Sequence, residues 1–240
     1  MSVAVLVVMP SGAGKSTSMS GLDPQRTMII NADRKALPWR NANNQYVQGK
    51  NLFNTYRLSG PTNRHNNFNE YSIENLLVNY NKINPKTNVI VLDTVNLALI
   101  SHEFSDGFQN MTTGRQALSK WFDMAKEGWG LFCMANELPD DVIVFFLAHS
   151  TEKMDSDTIV YKKMVTNGRK LESLVPESKF TIVLHGEKRL DDAGEMEYVF
   201  ITEDINSSAK APRGMFEKKQ FPNDLGYVEK QIRDYYGGNK

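Results

Sequence analysis

Between Val3 and Val8 every residue is apolar and most are β-branched. Such a run, too short to cross a bilayer, reads as a strand buried on both faces of a parallel sheet. It feeds without a break into Met9-Pro10-Ser11-Gly12-Ala13-Gly14-Lys15-Ser16-Thr17. No other stretch restricts the fold as much. Gly12 and Gly14 let the backbone turn tightly and approach a ligand. Lys15 can reach β- and γ-phosphates, and the Ser16 hydroxyl can sit on Mg²⁺. A helix starting here would aim free N–H groups and its positive dipole end at the same anion. Ser11, Gly12, Ala13, Gly14, Lys15, Ser16 and Thr17 are therefore the candidate phosphate-binding residues, and Ser16 is a candidate metal ligand. One position departs from the motif, which asks for glycine where Met9 stands. Either Met9 takes a conformation open to a side chain, or the chain enters the loop in another way.

Composition narrows the setting. A chain of 240 residues is expected to form one domain with a large core. Within it, 41–69 reads as a polar, asparagine-rich excursion and 203–240 as a C-terminal extension. Lys plus Arg number 28 and Asp plus Glu number 28, so no global field draws the protein to nucleic acid or membrane. Any basic site must be local. The single cysteine, Cys133, rules out an internal disulfide and fits a reducing cytoplasm. Its neighbours Leu131, Phe132 and Met134 suggest a packed core thiol. The N-terminal run lacks a basic flank, so neither a signal peptide nor a transmembrane segment is expected.

In chain order, 15–21 is expected to be the first helix, and Asp23-Pro24 a turn. Thr27–Asn31 reads as the second strand. Asn31-Ala32-Asp33-Arg34-Lys35 then leaves its C-terminal end, where ligands sit in open α/β sheets. Tyr71 to Ile83 has helical spacing, with Ile73, Leu76, Leu77 and Tyr80 on one face. Val89-Ile90-Val91-Leu92-Asp93-Thr94 has the form of a Walker B strand. A carboxylate at such a strand end can hold Mg²⁺ beside the P-loop serine, or it can simply cap the next helix.

Residues 95–136 are expected to be helical in two pieces split around Asp106-Gly107. Trp121, Phe122, Trp129, Leu131 and Phe132 are read as core. Asp141–Ala148 is a fourth strand ending in His149, which either senses a γ-phosphate or plays an ordinary packing role. Residues 151–169 are polar and aperiodic, a locally basic stretch in which Lys162, Lys163 and Arg169, with Lys170 next to it, accompany Tyr161. Charge and stacking there suit single-stranded nucleic acid, and a solvated loop with ordinary surface charge suits the same residues. Strands over 180–185 and 197–202 form an antiparallel hairpin edge. Residues 207–216 look irregular, and a last helix opens at Pro222-Asn223-Asp224-Leu225.

Strand, P-loop, Walker B, polar strand end, basic loop and terminal hairpin together resemble the RecA-like ATPase core. Gly14-Lys15-Ser16-Thr17, Leu22-Asp23-Pro24, Ile29-Ile30-Asn31 and Lys35-Ala36-Leu37-Pro38 are similar to the phage Sak4-type single-strand annealing ATPases. So are Ala209-Lys210-Ala211-Pro212-Arg213-Gly214-Met215-Phe216 and Phe221-Pro222-Asn223-Asp224-Leu225. The resemblance spans nearly the whole chain apart from the asparagine-rich region and the middle helices. It implies a three-layer α/β P-loop NTPase fold with a mostly parallel sheet. It implies ATP and Mg²⁺ as cofactors, with Lys15, Ser16 and Thr17 on phosphate and metal, Asp93 on the metal, and His149 as the γ-phosphate sensor. It places a DNA-binding loop at 151–170, and Arg169 and Lys170 where some members present a basic residue to the neighbouring subunit's nucleotide.

The water-orienting carboxylate stays open between Asp33, near the end of the second strand, and Glu103, after Walker B. Implied partners are single-stranded DNA, further copies of the chain in a ring or filament, and a single-strand DNA-binding protein. The implied setting is the bacterial cytoplasm during phage infection, with no membrane. Two rival functions remain from the residues themselves. A P-loop kinase of a small molecule would need an arginine-rich lid, and Arg34, Arg40, Arg57, Arg64 and Arg115 are scattered. A non-catalytic ATP-binding assembly factor would suit Met9 and the missing glutamate.

Overall fold

Alternation along the first strand explains the layering. In the computed structural model, which describes residues 2–55, 72–155, 158–166 and 168–237, β1 (Val3–Met9) is buried along almost its whole length. Ala4, Leu6 and Val8 enter one apolar cluster, while Val5, Val7 and Met9 enter another on the opposite face. A strand flanked on both faces must be apolar at every position, which is why the run shows no polar alternation.

After β1 and the loop, a 3₁₀ turn (Thr17–Gly21) leads to β2 (Thr27–Asn31). There follow α1 (Ala42–Gln45), β3 (Leu52–Phe53), α2 (Ile73–Ile83), β4 (Val89–Asp93), α3 (Val95–Glu103), α4 (Asp106–Gln109) and α5 (Gly114–Asn136). Then come β5 (Ile143–Asp155), β6 (Thr158–Met164), α6 (Gly168–Ser173) and a 3₁₀ turn over Pro176–Lys179. The chain ends with β7 (Ile182–Leu190), β8 (Met196–Ile201), β9 (Gln220–Pro222) and α7 (Leu225–Gly237). The strand order is β3-β2-β4-β5-β1-β7-β8-β9. From β3 to β7 all neighbours are parallel, and β8 and β9 add an antiparallel edge.

Helices α2, α3 and α5 cover one face through Ile73, Leu76, Leu77, Val95, Leu99, Leu131 and Phe132. Phe132, Phe146 and Phe180 meet edge to face there, with centroids 5.2–5.5 Å apart. On the other face lie Met19 and Leu22 after the loop, and Leu225, Val228 and Ile232 of α7. The fold is thus the expected three-layer α/β arrangement with a mostly parallel sheet and an antiparallel C-terminal edge.

Several expectations change. Residues 15–21 do not make an α-helix: the chain forms only the short 3₁₀ turn, because the segment stays polar and Leu22-Asp23-Pro24 ends it at once. The 95–136 stretch breaks twice, around α4, rather than once at Asp106-Gly107. Trp121 and Phe122 are exposed on α5 rather than in the core, whereas Leu131 and Phe132 are buried. Cys133 is only half-buried. Within 41–69 the chain forms α1 and β3, and the asparagines Asn63, Asn66, Asn67 and Asn69, with Arg57 and Arg64, lie outside the described residues.

The largest change concerns 151–169, read as a loop. β5 continues past the sheet to Asp155 and turns back as β6, pairing Ser150 with Met164 through Asp155 with Thr158. Backbone ladder bonds override the aperiodic side-chain pattern, since Thr151, Glu152, Lys153 and Met154, exposed on both faces, need no alternation. Among the described residues, no helix is long and apolar enough to cross a membrane.

Candidate nucleotide phosphate site

Register brings three strand ends together. Met9 is level with His149 on β5, and Asp93 with Leu147, so the carboxyl ends of β1 and β4 form one edge with the point where β5 leaves the sheet. Asn31, the end of β2, pairs with Asp93 on the other side. Ligands bind at such edges in parallel sheets because the loops there leave free N–H groups.

The loop that leaves β1 takes φ of +76° at Gly12 and +84° at Gly14. Both values suit glycine and strain any other residue. Met9 itself stays in β1 and is fully buried. Its side chain lies over Gly186 of β7, where an added Cβ would come within 2.2 Å of the Met9 methyl. The methionine that replaces the first motif glycine is therefore accommodated by a glycine on the next strand. A glycine inside a strand signals close approach, so Gly186 carried a readable cue that sequence reasoning did not use.

Lys15 is 7 % exposed, and burial lowers its pKa from the usual lysine range. Asp93 and Asp33 oppose that shift electrostatically. Its Nζ lies 3.3 Å from Nδ1 of His149. Burial, then the Lys15 charge, hold the His149 pKa below the ordinary value, so the ring is neutral at pH 7 and Nδ1 accepts from the ammonium. Asn96 of α3 fixes this strand end: its Oδ1 accepts the His149 N–H at 2.6 Å, and its Nδ2 donates to the Val165 carbonyl.

Ser16 Oγ donates to Asp93 Oδ2 at 2.6 Å. The other oxygen, Asp93 Oδ1, is buried and has no hydrogen-bond partner. Burial pushes the Asp93 pKa up to about 6 despite the Ser16 hydrogen bond, with Asp33 adding to the rise. An orphaned carboxylate oxygen beside a serine hydroxyl fits a hard divalent cation that keeps most of its waters. Ser16 and Asp93 are the residues that would hold Mg²⁺. Among the described residues, no group of three or more His, Cys, Asp or Glu offers a metal cage.

Asp33 joins the same edge. Its N–H donates to the Asp93 carbonyl at 3.1 Å. Oδ1 accepts from the Thr94 N–H at 3.2 Å and from its hydroxyl at 2.8 Å, and Oδ2 pairs with Lys35 at 3.3 Å. Glu103, the other carboxylate considered, sits at the opposite end of α3, about 12 Å along the helix axis from Val95. Ser11, Ala13 and Thr17 belong to the loop and turn around Lys15, although no helix dipole backs them.

The expected basic residues lie elsewhere. Lys162 Nζ donates to Glu187 Oε1 on β7, and Lys163 Nζ lies 2.5 Å from Glu172 Oε1 on α6. Arg169 and Lys170 are exposed on α6, with the Lys170 ammonium 5.6 Å from the Phe122 ring centroid. Tyr161 is exposed on β6.

Sequence reasoning also missed the cover on the loop. The Tyr198 ring packs against Gly14, and Asn223 Nδ2 lies 3.2 Å from the carbonyl oxygens of both Ala13 and Gly14. Pro-Asn-Asp before an apolar helix gave only a turn-and-cap signal.

No protein-family model matches this chain, and no curated protein matches it. Among solved structures, the chain is similar to the flagellar accessory protein FlaH from Methanocaldococcus jannaschii at 9% sequence identity and a TM-score of 0.43. That alignment covers 93% of this chain and 87% of FlaH.

Proposed function

We propose that this chain binds ATP with Mg²⁺ and hydrolyses it as a DNA recombination protein of the phage single-strand annealing type, acting on single-stranded DNA as an oligomer. The observation that carries the reading is the cluster of Lys15, Ser16, Asp93 and His149 at one sheet edge. Lys15 would neutralise β- and γ-phosphate charge, and Ser16 with Asp93 would hold a Mg²⁺ whose charge would offset that developing on the transferred group. Asp33 is the carboxylate within reach of an attacking water, and His149 meets the γ-phosphoryl side of the site.

The DNA half of the reading rests on continuity. β5 carries His149 and runs on into the exposed hairpin arm with Lys153, Tyr161 and Lys162. A change at the γ-phosphate is thereby passed along one strand to the arm. Arg169 and Lys170 on α6 are available to a neighbouring copy's nucleotide.

A second reading has its own support. Both oxygens of Asp33 are engaged, by Thr94 and Lys35, which suits a protein that binds ATP as a switch and hydrolyses it slowly.

ATPase rate measured with and without single-stranded DNA tests both. The wild type is expected to hydrolyse ATP faster with DNA, and Lys15→Ala to lose at least a hundredfold in rate, on the scale of one lost electrostatic group in a transition-state site. Nucleotide-dependent DNA binding without turnover would favour the switch. No stimulation together with no salt-sensitive DNA binding would overturn the recombination reading.

A further inference from the structure

Asn223 lies more than two hundred residues beyond the P-loop in sequence, yet its amide spans two consecutive carbonyls of that loop. In a planar trans peptide the C=O and N–H point in opposite directions. The Ala13 carbonyl shares its peptide with the Gly14 N–H, and the Gly14 carbonyl shares its peptide with the Lys15 N–H. Holding both oxygens from behind therefore turns both N–H groups forward. Neither N–H donates to a backbone carbonyl among the described residues. From this we infer that Asn223 is a positioning residue for phosphate binding: it pre-sets the two loop donors through their carbonyls.

Three further observations converge. First, the Gly14 carbonyl also accepts the Ser18 N–H at 3.0 Å, so its direction is fixed from two sides. Second, a Cβ at Gly14 would come 2.7 Å from Asn223 Nδ2 and 3.2 Å from Tyr198 Cδ1. Glycine is thus required at position 14 by the clamp as well as by φ. Third, Asn223 is itself held. Its N–H donates to the Tyr198 carbonyl, and the following helix α7 is anchored through Glu229, which pairs with Arg26 at 2.9 Å. Asp224 caps α7 through the Gly226 N–H and fills the space above Gly21. The loop receives little from a helix dipole, because only a 3₁₀ turn follows it. The C-terminal clamp supplies the preorganisation that a long helix would otherwise give.

The inference rests on the phosphate-site reading above and adds a residue to it. Its test compares wild type, Asn223→Ala, Asn223→Asp and Asp224→Ala for affinity to Mg·ATP and to inorganic tripolyphosphate, alongside melting temperature. Loss of the clamp is expected to weaken both ligands roughly tenfold, the effect of one or two modest hydrogen bonds. Asn223→Asp, which keeps the shape and turns a carboxylate on the carbonyls, should lose more than Asn223→Ala. KM for ATP rises while kcat at saturation stays within about twofold, because bound phosphate re-forms the loop. Asp224→Ala removes the cap, lowers the melting temperature by a few degrees and leaves both affinities unchanged.

Folded Asn223 variants that bind within twofold of wild type would overturn the inference. So would an affinity loss in Asp224→Ala equal to that in Asn223→Ala, which would mark a purely structural role. A wild-type protein that binds neither ligand would overturn the phosphate-site reading instead, and the clamp with it.

Discussion

The phosphate edge and the β5–β6 arm are built from the same strand and use their charges in opposite ways. At the edge, Lys15 is almost buried and Asp93 keeps one oxygen without a partner. Those groups are desolvated and incompletely satisfied, which is costly unless a ligand completes them. On the arm, Lys162 and Lys163 are already matched with Glu187 and Glu172 at the surface. Such pairs are worth little to stability and are readily exchanged for other anions. The lesson is that unmet polarity marks the site more sharply than a count of positive charges does. Tyr161 and Lys153 are nonetheless exposed there, a ring and an ammonium open to solvent.

The sharpest way to break this contrast is Asp93→Asn. On the proposed function, removing the charge that would hold the metal is expected to cut ATP hydrolysis at least a hundredfold. The same change should stabilise the ligand-free protein. A carboxyl with its pKa raised to about 6 binds its proton more tightly when folded than when unfolded. Stability therefore falls as pH rises from the ordinary carboxylate range to above 6, by about 3 kcal/mol in all from this one group. Thermal melts of wild type and Asp93→Asn between pH 4 and 8 check the sign. Both curves also rise through His102 and His185, whose pKa burial lowers to about 4, so the readout is the difference: the variant should gain on the wild type by that amount as pH rises across the window. Metal binding by the wild type should strengthen over the same interval, because only the ionised carboxylate binds Mg²⁺. If the variant is no more stable at pH 8, Asp93 is not the strained group described.

A smaller effect is expected at Gly186. Its replacement by alanine would place Cβ against the Met9 side chain and cost about 1–3 kcal/mol, the usual penalty for overpacking a tight core. Met9→Ala should relieve most of that loss in the double variant. Denaturant melts of the four combinations give the coupling directly, and additive losses would mean that Gly186 does not make room for Met9.

Smallest of all, Lys163→Ala should change stability by less than about 1 kcal/mol, since both partners of its pair are solvated. DNA binding should weaken, with the salt slope of log affinity reduced by about one for the single charge removed. A large stability loss would show the arm to be as tightly wired as the phosphate edge.

The strands that form the parallel sheet were legible because burial on both faces demands apolar runs, and Val3–Met9, Thr27–Asn31 and Val89–Asp93 have them. Lys15, Ser16 and Asp93 were legible for a different reason. Phosphate and metal chemistry admits few residue types, and each follows a strand at a fixed offset. The β5–β6 hairpin was not legible, because an arm exposed on both sides has no periodicity to detect. Nor did spacing tell how near Asp33 and Glu103 would lie to that edge. Thr94 and the Asp93 carbonyl draw Asp33 to the edge, and the length of α3 carries Glu103 away.

By itself, then, the sequence determined the strand-loop-strand frame and the kinds of side chain at its ends. Only the tertiary structure decided what surrounds them: Gly186 beneath Met9, Asn96 behind His149, and Asn223 behind the loop. Those relations join residues far apart in the chain. Local propensity carries no information about such pairs, because they exist only once sheet register and helix packing have brought distant segments within a few ångströms.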